Sequence, residues 1–396
     1  MTNDTAKLPV DPLDFLAVGG EFDDQERMIR DTVREWTTNE ILPNVARWFE
    51  EGFLPRSLAT DMGELGLLGM HLDGYGCAGT SAVEYGLASL ELEAGDTGVR
   101  SFMSVQGSLA MFPIWAYGSD AQKQEWLPRM ATGEIVGCFG LTEPDSGSDA
   151  ANMRTSARQD PSGDWILNGT KMWITNGDIA DVAVIWARSD DGTVRGFIVP
   201  TDVGGFTANP IKGKMSLRAS NTAELVLEDV RLPSDAVLPG VASMRGPLSC
   251  LSEARFGILW GVVGSARACY EAALQYSLER VAFGQPIAHM QLTQQRLVEM
   301  MVRVQKGALV ALHLGRLKDR GQLAPAQVSF GKMDNTREAM WVAREARSIH
   351  GANGITLEYA PIRHMLNLET VYTYEGTNEI HQLIMGQAIT GHAAFT

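Results

Sequence analysis

Apolar residues recur at helical spacing in the first third of the chain, which predicts amphipathic helices there. In the first of these segments the apolar positions are Met28, Ile29, Val33 and Trp36. Asp23 is expected to cap this helix at its start, and Pro43 is expected to end or bend it. A further helix is predicted over 119–131, where Ser119 and Gln122 match a capping box.

From about residue 138 to 240 the pattern changes to short β-rich segments that turn residues separate. Segment 223–232 (AELVLEDVRL) alternates apolar and polar residues, roughly with period 2 and one slip. The dipeptides Asn168–Gly169 and Asp191–Gly192 are typical of turns. This stretch is therefore predicted to be an all-β domain of about 100 residues.

Helical spacing returns at about residue 245 and continues through 255–280, 291–319 and 325–349. Long amphipathic helices joined by short links indicate a bundle. The predicted fold class is α+β, with an N-terminal helical domain over 1–137, a middle β-barrel or sandwich domain over 138–240 and a C-terminal helical bundle over 241–396.

Composition narrows the function. The chain of 396 residues has a formal net charge of −15, which argues against a general nucleic-acid binder because phosphate binding needs a basic surface. The four cysteines form no CxxC pair and are predicted to be free thiols in a reducing compartment. With no signal peptide and no run of 18 apolar residues, a cytoplasmic protein without a membrane span is expected. The chain lacks GxGxxG, P-loop, GxSxG and HExxH motifs, and its histidines suggest no metal site.

Three polar segments carry side chains suited to binding or catalysis. The loop 139–149 (FGLTEPDSGSD) offers N–H and hydroxyl groups to an oxygen-rich ligand, although an ordinary polar turn has a similar composition. Segment 171–177 (KMWITNG) carries a tryptophan that could cover a flat aromatic ring or simply pack in a β core. In 373–379 (TYEGTNE), Glu375 is either a base with a pKa raised by burial or a structural carboxylate.

Taken together, these segments resemble the acyl-CoA dehydrogenase family. The motifs LTEPDSGSD, KMWITNG, RVAFGQPI and YEGTNEI occur in the family's order, and the resemblance covers nearly the whole chain. It implies an acyl-CoA dehydrogenase-like fold whose C-terminal domain is a four-helix bundle. Within the family the chain is most similar to glutaryl-CoA dehydrogenases, on the basis of segments 76–79, 96–101, 140–144, 216–220, 314–319 and 367–369.

The resemblance implies FAD as the cofactor, since protein side chains do not accept hydride. The positions that match FAD contacts in the family are Phe139, Leu141, Thr142, Gly147, Ser148, Trp173, Ile174, Thr175, Arg280, Phe283, Gln291, Ser348, Gly351, Ala352, Thr377, Glu379 and Phe395. Arg280, Phe283 and Gln291 would act across a subunit interface. A guanidinium suits the FAD pyrophosphate, although Arg280 could also form a surface salt bridge. At Ser348 many relatives have glutamine.

The resemblance also implies that Glu375 removes the α-proton of an acyl-CoA while its own N–H bonds the thioester oxygen. Positions that match the acyl-CoA site are Arg100, Ser101, Ser148, Cys250, Arg255, Gly257 and Gly376. A buried arginine in an acyl cavity is costly unless a carboxylate pairs with it, so Arg100 indicates a dicarboxylyl substrate such as glutaryl-CoA. The alternative is an ion pair of Arg100 with Asp96 or Glu93.

The expected reaction is oxidative decarboxylation of glutaryl-CoA to crotonyl-CoA and CO2, with Glu93 and Tyr374 matching the decarboxylating pattern beside the base. The expected partners are an electron-transfer flavoprotein and other copies of the chain in a homotetramer. Open alternatives are a non-decarboxylating glutaryl-CoA dehydrogenase, a short- or branched-chain acyl-CoA dehydrogenase, an acyl-CoA oxidase and a catalytically silent CoA-binding or scaffold relative.

Overall fold

The computed structural model of the protein describes residues 10–394, so Phe395, one of the predicted FAD contacts, lies outside the described residues. Helices form the N-terminal part, and the α-helices there are α1 (Asp24–Trp36), α2 (Val45–Glu51), α3 (Leu58–Glu64), α4 (Ala82–Gly95), α5 (Thr97–Ser104), α6 (Phe112–Tyr117) and α7 (Asp120–Ala131). Helix α5 continues without a break after Ser104 into a π-helical segment, Val105–Met111.

The predicted helix starts are confirmed. The Asp23 side chain accepts the Glu26 N–H, and Glu26 bonds back to the Asp23 N–H, which completes a capping box at α1. The predicted box at α7 is also formed, by Ser119 and Gln122. Ahead of Pro43 the α1 helix gives way to a π-helical turn, and α2 begins only at Val45, because proline cannot continue the hydrogen-bond ladder.

The middle part is a β-sheet with strands β1 (Gly137–Gly140), β2 (Ser156–Gln159), β3 (Trp165–Thr175), β4 (Val182–Ser189), β5 (Val194–Pro200), β6 (Phe206–Pro210) and β7 (Thr222–Leu232). Within the described residues these seven strands form one sheet in the order β1-β4-β2-β3-β7-β6, with β5 paired to β4. Strand β4 runs parallel to β1 and β2 and antiparallel to β5. A separate apolar core lies on this sheet, around Phe197 and Leu225.

The prediction of a turn at Asn168–Gly169 was wrong, because both residues lie inside β3. The register of β3 against β7 shifts between Leu167 and Gly169, so the glycine marks a β-bulge. A Cβ on Gly169 would lie 2.5 Å from the Thr155 hydroxyl, which leaves room only for glycine. The slip in the β7 pattern has its origin in Asp229, whose φ of 48° interrupts the alternation.

The C-terminal part contains α8 (Arg245–Glu279), a short hairpin of β8 (Val281–Ala282) and β9 (Gln285–Pro286), α9 (Gln291–Asp319), α10 (Pro325–Ile349), α11 (Ala360–Thr373) and α12 (Asn378–Thr390). Helix α8 packs on α4 of the N-terminal part and on α10. The observed α9 and α10 have the predicted bounds. The expected α+β class, with helical parts on either side of a β-sheet, is confirmed.

Candidate active site

Glu375 lies in the short turn between α11 and α12 and has a left-handed backbone, with φ of 51°. This conformation costs a non-glycine residue roughly 1–2 kcal/mol. Gly376 follows with φ of 93°, in a space where a Cβ would lie 3.0 Å from the His381 ring. The turn is held from α8, because Arg255 Nε donates to the Glu375 carbonyl at 2.6 Å. The carboxylate is thus presented by a turn that its neighbours hold in a strained shape.

Arg100 is fully buried on α5. Its Nε donates to Glu93 Oε2 at 2.6 Å, and its Nη2 donates to the Tyr374 hydroxyl at 2.5 Å. Thr97 and Ser265 donate to the other Glu93 oxygen at 3.2 and 3.3 Å. Among the residues that the structure describes, none accepts from Arg100 Nη1. The guanidinium is therefore fixed on two edges and keeps one nitrogen for another acceptor.

The Arg100 cluster comes together because α8 crosses it closely. At Gly261 of α8 a Cβ would lie 2.2 Å from Glu93 Oε2 and 3.1 Å from Arg100 Nε. Only glycine fits this crossing, so Gly261 sets how near the bundle approaches the buried ion pair. Asp96, the other partner considered for Arg100, instead binds Arg363 of α11.

Burial dominates the electrostatics of Glu375 and raises the pKa of its carboxyl above the usual range. Three nearby cations oppose that rise: Arg100, Arg255 and Lys332. Within residues 10–394, no donor reaches Glu375 Oε2, although this atom is shielded from solvent. Burial also lowers the pKa of Arg100, but the adjacent Tyr374 and Glu93 more than reverse this and keep the guanidinium charged. A half-buried carboxylate with one shielded oxygen, unpaired among the described residues, thus lies within the electrostatic influence of a buried cation, which is suited to proton abstraction near an anionic group.

The chain was compared with known proteins. Models of the acyl-CoA dehydrogenase N-terminal, middle and C-terminal domains match residues 23–134, 138–230 and 244–390. The chain belongs to the acyl-CoA dehydrogenase family.

Solved members of the family include a glutaryl-CoA dehydrogenase from Mycobacterium smegmatis in complex with FADH2. It is 57% identical, covers 98% of this chain and 100% of its own, and has a TM-score of 0.96. Another glutaryl-CoA dehydrogenase structure from that organism is 61% identical over 97% of this chain and 99% of its own, with a TM-score of 0.95. The human mitochondrial short-chain specific acyl-CoA dehydrogenase is 33% identical over 94% of this chain and 90% of its own length.

Two of the segments that resemble FAD contacts in acyl-CoA dehydrogenases are joined in the structure. The Met172 N–H donates to the Thr142 carbonyl at 2.8 Å, which ties β3 to the loop after β1. Beneath them, Lys171 Nζ donates to the Leu141 carbonyl at 3.1 Å and to Glu143 at 2.9 Å. Trp173 has a left-handed φ of 64° and a side chain that is 60% exposed. The indole is thus turned outward at the end of an anchored strand.

The predicted FAD residues differ in what they can contribute. The side chains of Phe139, Leu141 and Ile174 are buried in the apolar cores, so these residues can offer only backbone groups to a ligand. The other predicted FAD residues of the two segments are at least partly exposed: Thr142, Gly147, Ser148 and Thr175. Thr377 uses its hydroxyl to cap α12, where Glu379 lies exposed in the first turn.

A second group of predicted FAD residues lies where α8 ends, α9 begins and α10 ends. This group is separate from Glu375 in the sequence and in its contacts. Arg280 ends α8, and Phe283 at the tip of the β8–β9 hairpin is 97% exposed. Gln291 begins α9 and is exposed. The segment 348–352, with the predicted Ser348, Gly351 and Ala352, meets α8 through the His350 ring, which stacks 4.4 Å from that of Tyr276.

The predicted substrate residues lie on the helices around Arg100 and Glu375. Ser101 is buried beside Arg100, and Cys250 is buried in α8 with its thiol bonded to the Gly246 carbonyl. At Gly257 a Cβ would lie 2.8 Å from the Tyr85 hydroxyl. All four cysteines are free, as predicted. Ser148 is exposed in the loop after β1.

Sequence reasoning missed Lys332. It is 1% exposed and lies on the buried face of α10 with Val328, Asn335 and Ala339. Its Nζ donates to the carbonyls of Tyr374 at 3.0 Å and Gly376 at 2.8 Å. The available clue was a lysine at a position where helical spacing requires burial, because a buried lysine needs partners.

Within the described residues, no group of three or more His, Cys, Asp or Glu side chains could hold a metal ion. Between residues 10 and 394, no helix is both long enough and apolar enough to cross a membrane.

Proposed function

We propose that this protein is an FAD-dependent glutaryl-CoA dehydrogenase that converts glutaryl-CoA to crotonyl-CoA and CO2. The observation that carries the proposal is Arg100, a fully buried guanidinium with Nη1 unmatched by any acceptor among residues 10–394. Two of its three nitrogens are paired, so the third is positioned for the free carboxylate of a dicarboxylyl thioester. The high identity to two solved glutaryl-CoA dehydrogenases supports the same substrate.

The residues of 139–148 and 173–175 fit a flavin ring. They offer a large exposed indole at Trp173 and partly exposed hydroxyls at Thr142 and Thr175. The buried lysine of this region is paired with Glu143, so its charge is compensated within the protein. When bound, FAD would accept the hydride that leaves the substrate β-carbon.

Glu375 would act twice on the substrate. As a carboxylate it takes the α-proton, while the Glu375 N–H bonds the thioester oxygen on which negative charge develops. After oxidation the distal carboxylate lies on the γ-carbon of an enoyl thioester. The C–C bond to that carboxylate breaks, CO2 leaves, and the electron pair passes into a dienolate. Protonated Glu375 then returns its proton to the γ-carbon. Arg100, which Glu93 and Tyr374 orient, holds the leaving carboxylate until the bond breaks.

We also propose an electron-transfer flavoprotein as the electron acceptor and a homotetramer as the assembly. Large apolar side chains that are exposed on α9 and α10 of the single chain support association with further copies. They are Leu292, Val298, Val302, Leu309 and Phe330. The exposed Phe283 beside Arg280 supports FAD contacts across such an interface.

The test is product analysis of the FAD-loaded protein with glutaryl-CoA and an artificial electron acceptor. Crotonyl-CoA with an equal amount of CO2 is expected. Glutaconyl-CoA without CO2 would favour the non-decarboxylating alternative. Turnover of butyryl-CoA in preference to glutaryl-CoA would favour a short-chain acyl-CoA dehydrogenase, the activity named for the human relative. Peroxide formed without an acceptor would indicate an oxidase, and a protein that neither binds FAD nor oxidises either thioester would contradict the proposal.

A further inference from the structure

Three consecutive backbone carbonyls of the turn around Glu375 accept hydrogen bonds from cationic side chains in the interior. Lys332 of α10 donates to the carbonyls of Tyr374 at 3.0 Å and Gly376 at 2.8 Å. Arg255 of α8 donates to the carbonyl between them, that of Glu375, at 2.6 Å. Two side chains from two helices therefore bind every carbonyl from 374 to 376.

We propose that Lys332 is a positioning residue for the α-proton abstraction, because it fixes the Glu375 turn and polarises the Glu375 amide that bonds the thioester oxygen. This inference rests on the proposed acyl-CoA dehydrogenase function. It assigns to Lys332 a part in the reaction that acts through the backbone and requires no contact with substrate.

The polarisation follows from the covalent structure of the peptide group. The Tyr374 carbonyl and the Glu375 N–H belong to one peptide unit, and no peptide bond in residues 10–394 is cis. In a trans peptide the oxygen and the amide hydrogen point in opposite directions. A cation on the oxygen side draws electron density from the nitrogen, and the N–H becomes a stronger donor on the opposite side, as in any chain of hydrogen bonds in a low-dielectric site.

The Glu375 N–H is available for that task. Within the described residues, no backbone carbonyl accepts this N–H. A lysine in the middle of a buried helix face would be costly without such a task, since its desolvated charge must be compensated. Its hydrogen-bond partners are carbonyl dipoles, while the carboxylate that most raises its pKa is that of Glu375 itself. The charge of Lys332 thus acts on the backbone of the Glu375 turn and on the Glu375 carboxylate.

The chain offers a matched control in Lys214. Its Nζ likewise donates to two backbone carbonyls, those of Leu217 at 2.9 Å and Ser220 at 2.8 Å. Burial lowers the pKa of both lysines, to about 8 for Lys214 and about 7 for Lys332. Lys214 braces a loop between β6 and β7, and its hydrogen bonds go to Leu217, Ser220 and Thr222, not to the Glu375 turn. Its loss should affect stability alone.

The experiment measures the carbonyl stretch of bound crotonyl-CoA, labelled with carbon-13 at the thioester carbonyl, in the FAD-loaded enzyme by infrared difference spectroscopy. Wild type should lower this frequency on binding, and Glu375→Gln should retain most of the shift because the amide is unchanged. Lys332→Met should lose at least half of the frequency shift, and its kcat should fall by about 10- to 100-fold. This fall is smaller than the roughly 10²–10³-fold fall that follows the loss of a whole oxyanion donor.

Lys332→Arg, which retains a buried cation, should recover part of the shift and of kcat, and Lys332→Gln should not. These two variants give the same comparison if Lys332→Met fails to fold. Lys214→Met should keep the wild-type shift. A full carbonyl shift in Lys332→Met or Lys332→Gln, or equal losses in the Lys332 and Lys214 variants, would overturn the inference. Wild type that oxidises no acyl-CoA would instead overturn the proposed function.

Discussion

Helix α4 carries two buried glutamates, Glu91 and Glu93, and their surroundings differ. Both oxygens of Glu91 accept from Arg34 and Arg267, at distances between 2.6 and 3.1 Å. Glu93 shares Arg100 with Tyr374, and Arg100 keeps one nitrogen without an acceptor in the described part of the chain. In the Glu91 cluster both carboxylate oxygens are bonded. Arg267 Nε has no hydrogen-bond partner among the described residues, but it lies 3.4 Å from the Glu271 carboxylate, so its charge has a second partner. In the Glu93 cluster the free guanidinium nitrogen has no carboxylate of its own within the described residues, which is the property expected of a ligand site.

The largest effect should come from Glu375→Gln, which removes the proposed base next to Tyr374. Flavin reduction by glutaryl-CoA should slow by about 10⁴-fold, the upper end for general-base catalysis. Stability at pH 7–8 should not fall, because the raised pKa of Glu375 means that its ionised form opposes folding there. Stopped-flow absorbance and thermal unfolding check the two statements. Rapid flavin bleaching in this variant would show that the base lies elsewhere.

Disrupting the Glu91 cluster should have the opposite effect: the protein should lose stability, while each folded molecule should keep its turnover. Glu91→Gln leaves two arginines without their carboxylate and should lower the free energy of unfolding by about 3–5 kcal/mol. Arg34 and Arg267 outweigh burial and hold the pKa of Glu91 at about 2, below its usual value of 4.5. The carboxylate therefore stabilises the fold above pH 4.5 and loses this effect as pH falls towards 2.

Denaturant unfolding at pH 7 and at pH 3 measures both quantities, and Glu50→Gln on the exposed surface is the control. The difference in stability between wild type and Glu91→Gln should shrink at pH 3. Loss of turnover per folded Glu91→Gln molecule beyond about threefold would show that the two clusters are not separate in function.

A smaller effect is expected when both charges of the Glu93 cluster are removed together, in Arg100→Met with Glu93→Gln. The double change avoids leaving one buried charge alone. Its kcat/KM for glutaryl-CoA should fall by about 10²–10³-fold, within the 2–5 kcal/mol typical of a lost buried charge pair. The value for butyryl-CoA should fall much less. Equal losses for both thioesters would remove the case for a carboxylate at Arg100.

The smallest effect is a shift in the pH dependence of kcat/KM. Lys332 lowers the pKa of Glu375, so Lys332→Met should raise it further. Because the base must be ionised, the acid limb of kcat/KM should move to higher pH, by about one unit or less. A pH profile with glutaryl-CoA tests this, with Lys214→Met as the unshifted reference. A limb that stays in place would show that Lys332 does not influence the charge of the base.

Local chemistry explains what could be predicted from the sequence. Capping residues such as Asp23 and Ser119, and the links around Pro325, determine helix ends within a few residues, so these boundaries were predictable. Asn168–Gly169 was misjudged because the same dipeptide suits a turn and a bulge, and only the approach of Thr155 distinguishes them.

Residues of the candidate site that belong to a sequence motif, such as Glu375, were predictable. Residues whose partners depend on how the helices pack were harder to predict. Sequence spacing allowed either Asp96 or Glu93 as the partner of Arg100, and the position of α11 assigns Asp96 to Arg363. Lys332 was missed because its partners are carbonyl groups, which every residue has and which leave no pattern in the sequence.

The hydrogen bond between Arg100 and Tyr374 joins residues 274 positions apart. At ribosomal rates of about 5–20 residues per second, roughly 14–55 s pass between the synthesis of the two side chains. During that interval Arg100 can pair with Glu93 while its Nη2 still lacks the phenol. The N-terminal helices supply Arg100 and Glu93, and the C-terminal helices supply Tyr374. The Arg100 guanidinium therefore has all its hydrogen-bond partners only when nearly the whole chain has been synthesised.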